Sequence, residues 1–142
     1  MAQDDATKRI QRYRNQSLRL LDNALTEMRN GRWTRSEDLL WGSLTQAVKG
    51  VALSRGDSPE DDAAVRAYAT KIGQEHRDRR IRDAFEQLGN FSETLELVRD
   101  SRSRVDQLFL TLDDVSSAVE RLWELVPGET ADEAVDEAVD EV

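Results

Sequence analysis

The run LLWGSLTQAVKGVALSRG, Leu39 to Gly56, reads as a helix throughout yet carries two glycines, Gly42 and Gly50, inside the pattern. An interior glycine costs roughly 1 kcal/mol relative to alanine, so the surroundings must favour a missing side chain. At helical spacing, Leu40, Trp41, Leu44, Val48 and Val51 share an apolar arc, and Ser43, Ala47, Gly50 and Ser54 form a stripe of small residues beside it. A helix buried on two arcs is central to its fold: large side chains pack on one side and a neighbouring backbone approaches on the other. Gly50 belongs to the small stripe. Gly42 lies nearer the polar side, and the pattern gives it no packing role.

The rest of the chain supplies partners for such a helix. Ile10, Tyr13, Leu20, Leu21, Ala24, Leu25 and Met28 predict a first helix from about Asp5 to Arg29, ended by Gly31. Thr34 to Glu37, TRSE, has the form of a capping box for the central helix, and Gly56 is placed to close it in a left-handed conformation. In DSPEDD, Ser58 is the expected cap and Pro59 the first residue of a third helix burying Val65, Tyr68, Ala69 and Ile72. That helix either breaks near His76 or continues. Ile81, Phe85, Leu88, Phe91, Leu95, Val98, Val105, Phe109 and Leu112 then predict one long fourth helix. Thr111 to Asp114, TLDD, reads as a second capping box opening a fifth helix, which holds Val115, Val119, Leu122, Trp123 and Val126 and is stopped by Pro127-Gly128. With only two prolines, the expectation is an all-α, up-and-down bundle of four or five helices over residues 1–127.

Residues 128–142 are expected to form a flexible, acidic C-terminal tail. From Glu129 onward the chain has seven acids and no base, so the body before it carries only about −2 of the total −9. The nearly neutral body leaves nucleic-acid contact open, because the field at a site follows its local cluster. The absence of cysteine, of a secretory signal in MAQDDATKRIQ and of any apolar run near 20 residues points to a cytoplasmic protein away from the membrane.

Motifs for chemistry are scarce. There is no glycine-rich phosphate loop, no nucleophile elbow, no zinc-protease pair and no calcium loop, and the single histidine excludes the Glu-x-x-His pairs of a di-iron bundle. The sequence therefore implies no cofactor, no metal and no catalytic residue. The carboxylate pairs Asp61-Asp62 and Asp113-Asp114 fall at predicted helix starts, where capping explains them. One cluster stands out. His76, Arg77, Arg79, Arg80 and Arg82 concentrate positive charge suited to bidentate phosphate contacts, with His76 as a proton donor or acceptor. Glu75, Asp78, Asp83 and Glu86 interleave with them at helical pair spacing, so surface ion pairing is the first reading and a binding site the alternative.

GRWTRSEDLLWGSLTQAVKGVALSRG, followed by AFEQLGNFSETL, resembles the HEPN superfamily of small helical bundles, in particular its archaeal-type uncharacterised branch. Trp41, Gly42, Gln46, Ala47, Ala52, Gly56, Asn90 and Phe91 carry the likeness, which spans roughly Asn23 to Leu125. It implies a bundle, usually a homodimer, in a superfamily containing metal-independent, toxin-like ribonucleases and noncatalytic partners of nucleotidyltransferases. The ribonuclease members carry an arginine followed, after four to six residues, by a histidine. Here the nearest arginine before His76 is Arg66, and Arg82 reaches only Gln87, Leu88 and Gly89. Ser92 stands where the branch often has tyrosine. The reading that follows is a noncatalytic interaction or nucleotide/RNA-binding module, with a divergent ribonuclease or an adaptor using its acidic tail as alternatives.

Overall fold

In a computed structural model, residues 2–98 and 105–126 are described, and among them six helices and no strand occur. They are α1 (Ala2–Arg29), α2 (Trp33–Ser54), α3 (Asp62–Glu75), the single turn α4 (Arg79–Arg82), α5 (Ala84–Val98) and α6 (Val105–Glu124). Helix α2 packs against α1, α3, α5 and α6, so the two-faced helix is central as its pattern predicts. Its large arc is sealed: Leu40, Leu44, Val48 and Val51 are fully buried against Met28, Leu88, Phe91, Val119 and Leu122 of the same core. No helix among the described residues is long and apolar enough to cross a membrane.

The small stripe is filled in two ways. At Ser43 the backbones of α1 and α2 do close up, because Ser17 Oγ donates to Ser43 O at 2.8 Å and Ser43 Oγ donates to Ser17 O at 2.7 Å. Trp123 on α6 adds its indole N–H to Ser17 Oγ at 3.0 Å. At Gly50 the neighbour is a side chain rather than a backbone: a Cβ there would lie 2.3 Å from the Trp123 ring. Gly42 also acquires a reason, since a Cβ would sit 3.1 Å from a Leu20 methyl. A third serine, Ser36, is fully buried and donates to Ala24 O at 2.8 Å.

Several predicted boundaries are corrected. TRSE forms no capping box: α2 opens at Trp33, with Arg32 as an uncapped N-cap, so Thr34 is already inside the helix, and the Glu37 carboxylate accepts from Ser92 Oγ. Helix α3 is capped not by Ser58 but by Asp61, whose side chain accepts from Ala64 N at 2.7 Å, and Pro59 lies in the preceding loop. The long fourth helix is broken into α4, α5 and α6. TLDD lies within α6, so Asp113 and Asp114 are mid-helical and not capping residues. The buried face of α6 runs through Leu108, Leu112, Val115, Val119 and Leu122, which leaves Phe109 exposed. Pro127-Gly128 and the tail 128–142 lie outside the described residues.

Three helices end in the same turn. The C″ amide bonds back five residues and the C′ amide bonds inside it: Arg32 N to Glu27 O and Gly31 N to Met28 O, Asp57 N to Ala52 O and Gly56 N to Leu53 O, Asp78 N to Gly73 O and Arg77 N to Gln74 O. This turn needs a left-handed residue at C′. Gly31 (φ 78°) and Gly56 (φ 82°) supply it at no steric cost, but α3 is closed by Arg77 at φ 52°.

Candidate functional site

The corner between α3 and α4 is assembled from the backbone outward. Once Arg77 has reversed the chain, Asp78 caps α4, its Oδ1 accepting from Arg80 N at 3.0 Å and Ile81 N at 3.2 Å. Ile81, 1% exposed, anchors the turn in the core. Gly73 lets the turn lie on α3: a Cβ there would come within 2.4 Å of Arg82 N. The result gathers His76, Arg77, Arg79, Arg80 and Arg82 on one exposed corner; of the two courses the sequence leaves open, the third helix breaks at His76.

The acids interleaved with these arginines are mostly engaged elsewhere. Glu75 Oε2 takes Arg55 at 2.7 Å, and Asp78 Oδ2 takes Arg121 Nε of α6 at 3.1 Å. Burial pushes the Asp78 carboxyl up, but the Arg121 guanidinium and the two backbone amides outweigh it and hold the group below its ordinary value. Asp83 is bound by Arg82 at 2.8 Å and held low by that contact, with Arg79 adding its charge. Among the described residues the guanidinium groups of Arg77, Arg79 and Arg80 make no hydrogen bond or ion pair to a carboxylate. A phosphate group approaching this corner therefore meets guanidinium forks free to take it.

His76 has a neighbour that no local motif shows. Arg55, the residue capping the end of α2, stands 3.1 Å from His76 Nε2 through NH2 while its NH1 holds Glu75. A guanidinium only donates, so this contact assigns Nε2 the acceptor role. Beside it, Tyr68 O–H donates to Asp57 Oδ2 at 2.7 Å. Burial, then the hydrogen bond and charge of Asp57, push the Tyr68 phenol up to about 12 against the opposing pull of Arg55. The sequence shows Glu75 only as an acid beside the arginines and Tyr68 only as a core residue; Arg55 and Asp57 are not legible there as part of the cluster, because they follow α2 and meet α3 only in the fold. Only the position of Arg55 and Asp57 on either side of the left-handed Gly56 carries a trace of the cluster.

A second feature lies farther along α3. Trp41 of α2 and Phe85 of α5 stand with ring centroids 5.8 Å apart, and the Arg66 guanidinium of α3 lies over both, 5.4 Å from one centroid and 5.9 Å from the other. These residues, with Gly42, Thr45, Gln46, Asp62 and Val65, line an open groove of about 390 Å³. Gln46 Oε1 is buried in the wall with no protein donor. Behind Trp41, one helical turn back on α2, the Glu37 carboxylate accepts from Ser92 Oγ. Burial first, then the charge of Asp38, raise the Glu37 pKa, and the neighbouring Trp41 indole only partly offsets them.

No group of three or more His, Cys, Asp or Glu able to hold a metal ion occurs among the described residues. Compared with known protein families, curated proteins and solved structures, the chain matches none.

Proposed function

We propose that the chain is a noncatalytic, HEPN-like module that binds nucleotide or RNA phosphate through the α3–α4 corner. One observation supports this above the others: Glu75 and Asp78 are paired to arginines of α2 and α6, so Arg77, Arg79 and Arg80 keep their charge for an outside anion. A strained left-handed Arg77 at the same corner adds to it, since such strain gathers at functional positions. The homodimer and the nucleotidyltransferase partner belong to this reading through the family resemblance.

The test is fluorescence anisotropy of a labelled single-stranded RNA across salt. Neutralising about three phosphates gives a log–log slope of about −2, a loss of about 20-fold between roughly 50 and 200 mM salt. Arg79→Glu with Arg80→Glu abolishes binding while the circular dichroism spectrum is retained. Binding that ignores both salt and the double substitution removes the reading.

The Arg55–His76 contact favours a second reading, a divergent metal-independent ribonuclease, because it supplies in space the arginine that the local sequence lacks. General acid–base catalysis by a positioned side chain is worth about 10²–10⁴-fold, so cleavage by a His76 enzyme falls by that factor in His76→Ala. On the leading reading the RNA stays intact with wild type and variant alike.

A further inference from the structure

The groove between α2, α3 and α5 combines three features that are independent of the arginine corner. Its aromatic wall already stacks a flat π-compatible group, the guanidinium of Arg66, over Trp41 and Phe85. Its inner wall carries an amide whose Oε1 is buried without a donor from the protein, a costly arrangement that an incoming N–H would relieve. Arg66 itself is exposed at the rim, so its charge remains available when the guanidinium leaves the rings. A flat surface, a buried amide acceptor and a rim cation together describe the needs of a nucleobase carrying a phosphate. Among bases, adenine fits the amide best: its N6 amine donates to a glutamine Oε1 while an adjacent ring nitrogen accepts from the same side chain's Nε2.

We infer that the Trp41–Gln46–Arg66–Phe85 groove is a subsite for an adenine base, stacked in the place now held by the Arg66 guanidinium, with Arg66 moving to the phosphate. The surroundings preorganise it. Phe85, 5.8 Å from Trp41 between ring centroids, backs the stacking face, and the groove volume of about 390 Å³ accommodates a base with its ribose. The subsite rests on the proposed nucleotide or RNA binding and extends it, because both features lie on the seam between α3 and the α4–α5 segment. Gly73 meets Arg82 at one end and Arg66 meets Phe85 at the other. Seven residues of α3 separate them, about 10 Å at 1.5 Å per residue, within the span of a short single strand. Unpaired bases stacked on aromatic side chains are the usual means of reading single-stranded RNA.

The experiment is a two-dimensional NMR titration of the ¹⁵N-labelled full chain, whose three tryptophans give three indole N–H signals, with Trp41 assigned by Trp41→Phe. AMP is expected to shift the Trp41 indole and the Gln46 side-chain amide, with UMP about tenfold weaker and ribose 5-phosphate leaving both in place. Gln46→Leu, close in size and without the amide, weakens AMP about tenfold, and Arg66→Ala weakens AMP but not adenosine. An absent AMP shift, an equal shift from ribose 5-phosphate, or unchanged AMP affinity in Gln46→Leu overturns the subsite. The two readings fail separately. Equal, salt-sensitive binding of oligo(A) and oligo(U) removes the adenine subsite and leaves the arginine corner standing. AMP binding in the groove with no salt-sensitive RNA binding does the reverse.

Discussion

Helices α2 and α3 end in the same pair of hydrogen bonds, yet one is closed by Gly56 and the other by Arg77. The ends of α1 and α2 use the residue that costs least. The end of α3 uses one that pays roughly 1–2 kcal/mol for the left-handed conformation and presents a guanidinium there. The same contrast extends to polar groups. In the α1–α2–α6 layer Ser17, Ser43 and Trp123 satisfy one another, and Ser36 finds Ala24 O. Around α3 the structure leaves Gln46 Oε1 of α2 without a donor and the guanidinium groups of Arg77, Arg79 and Arg80 without carboxylates. Where local conformation and hydrogen bonding agree, residues serve the fold; where a residue departs from that agreement, an external ligand is the natural explanation.

The largest expected effect lies in the layer that serves the fold. Gly50→Leu drives a side chain into the Trp123 indole, which is 3% exposed and cannot swing out, so the loss is about 3 kcal/mol or more. A thermal melt within a degree or two of wild type would break the contrast at its firmest point. Gly73→Ala comes next, at about 1–3 kcal/mol, because the atom it strikes is Arg82 backbone rather than a flexible side chain. Its distinguishing sign is a second loss: moving α4 displaces Arg79 and Arg80, so RNA affinity falls with stability, whereas in Gly50 variants the two are unlinked so long as the fold holds.

The fold was largely legible, and the reasons differ by element. Helix α2 announces itself because a wide apolar arc at helical spacing has few other solutions, whereas the sequence divides α6 between two predicted helices, because the period of the fourth runs on through Leu112 and TLDD reads as a start. In α1 the apolar stripe passes through Ser17, which a hydrophobic pattern counts as a gap and the structure fills with a hydrogen-bonded contact. Both apparent capping boxes are local patterns that fall inside helices: α2 already begins at Trp33, before Thr34, with Glu37 taken by Ser92, and α6 begins at Val105, six residues before Thr111. The candidate site was legible only as composition. The arginine cluster is visible in the sequence, but its freedom depends on Arg55 and Arg121, 20 and 43 residues from the acids they bind. Trp41, Arg66 and Phe85 meet only after three helices have packed.

Asp78 allows the corner to be probed through pH. Its folded pKa is lowered, so its contribution is present in full above the ordinary carboxylate value near 4 and is lost as pH falls below it toward the folded value. Asp78→Ala removes the α4 cap and the Arg121 partner, costing about 1 kcal/mol at neutral pH, with a smaller deficit in acid. Asp78→Asn keeps a capping side chain but no charge, so it flattens the acid limb while sparing most of the neutral stability. Melting temperatures between about pH 2 and pH 7 separate the two, and parallel curves for wild type and Asp78→Asn would remove the ion pair from the account.

The smallest effect on stability is the sharpest test of the comparison, because its sign is opposite to that of the others. Arg77→Gly gives α3 the closing residue that α1 and α2 already have. It relieves the left-handed penalty but adds freedom to the unfolded chain, which takes back about 0.4–1 kcal/mol, leaving a net gain of about 0.5 kcal/mol. Arg77 makes no described hydrogen bond through its side chain, so nothing in the fold offsets that gain. RNA affinity moves the other way: one lost phosphate contact lowers the salt slope by about 0.7. A variant that melts higher and binds RNA more weakly ties the strain at Arg77 to ligand binding. A variant that melts lower shows that the arginine supports the fold, and the distinction between the glycine-closed and arginine-closed ends then disappears.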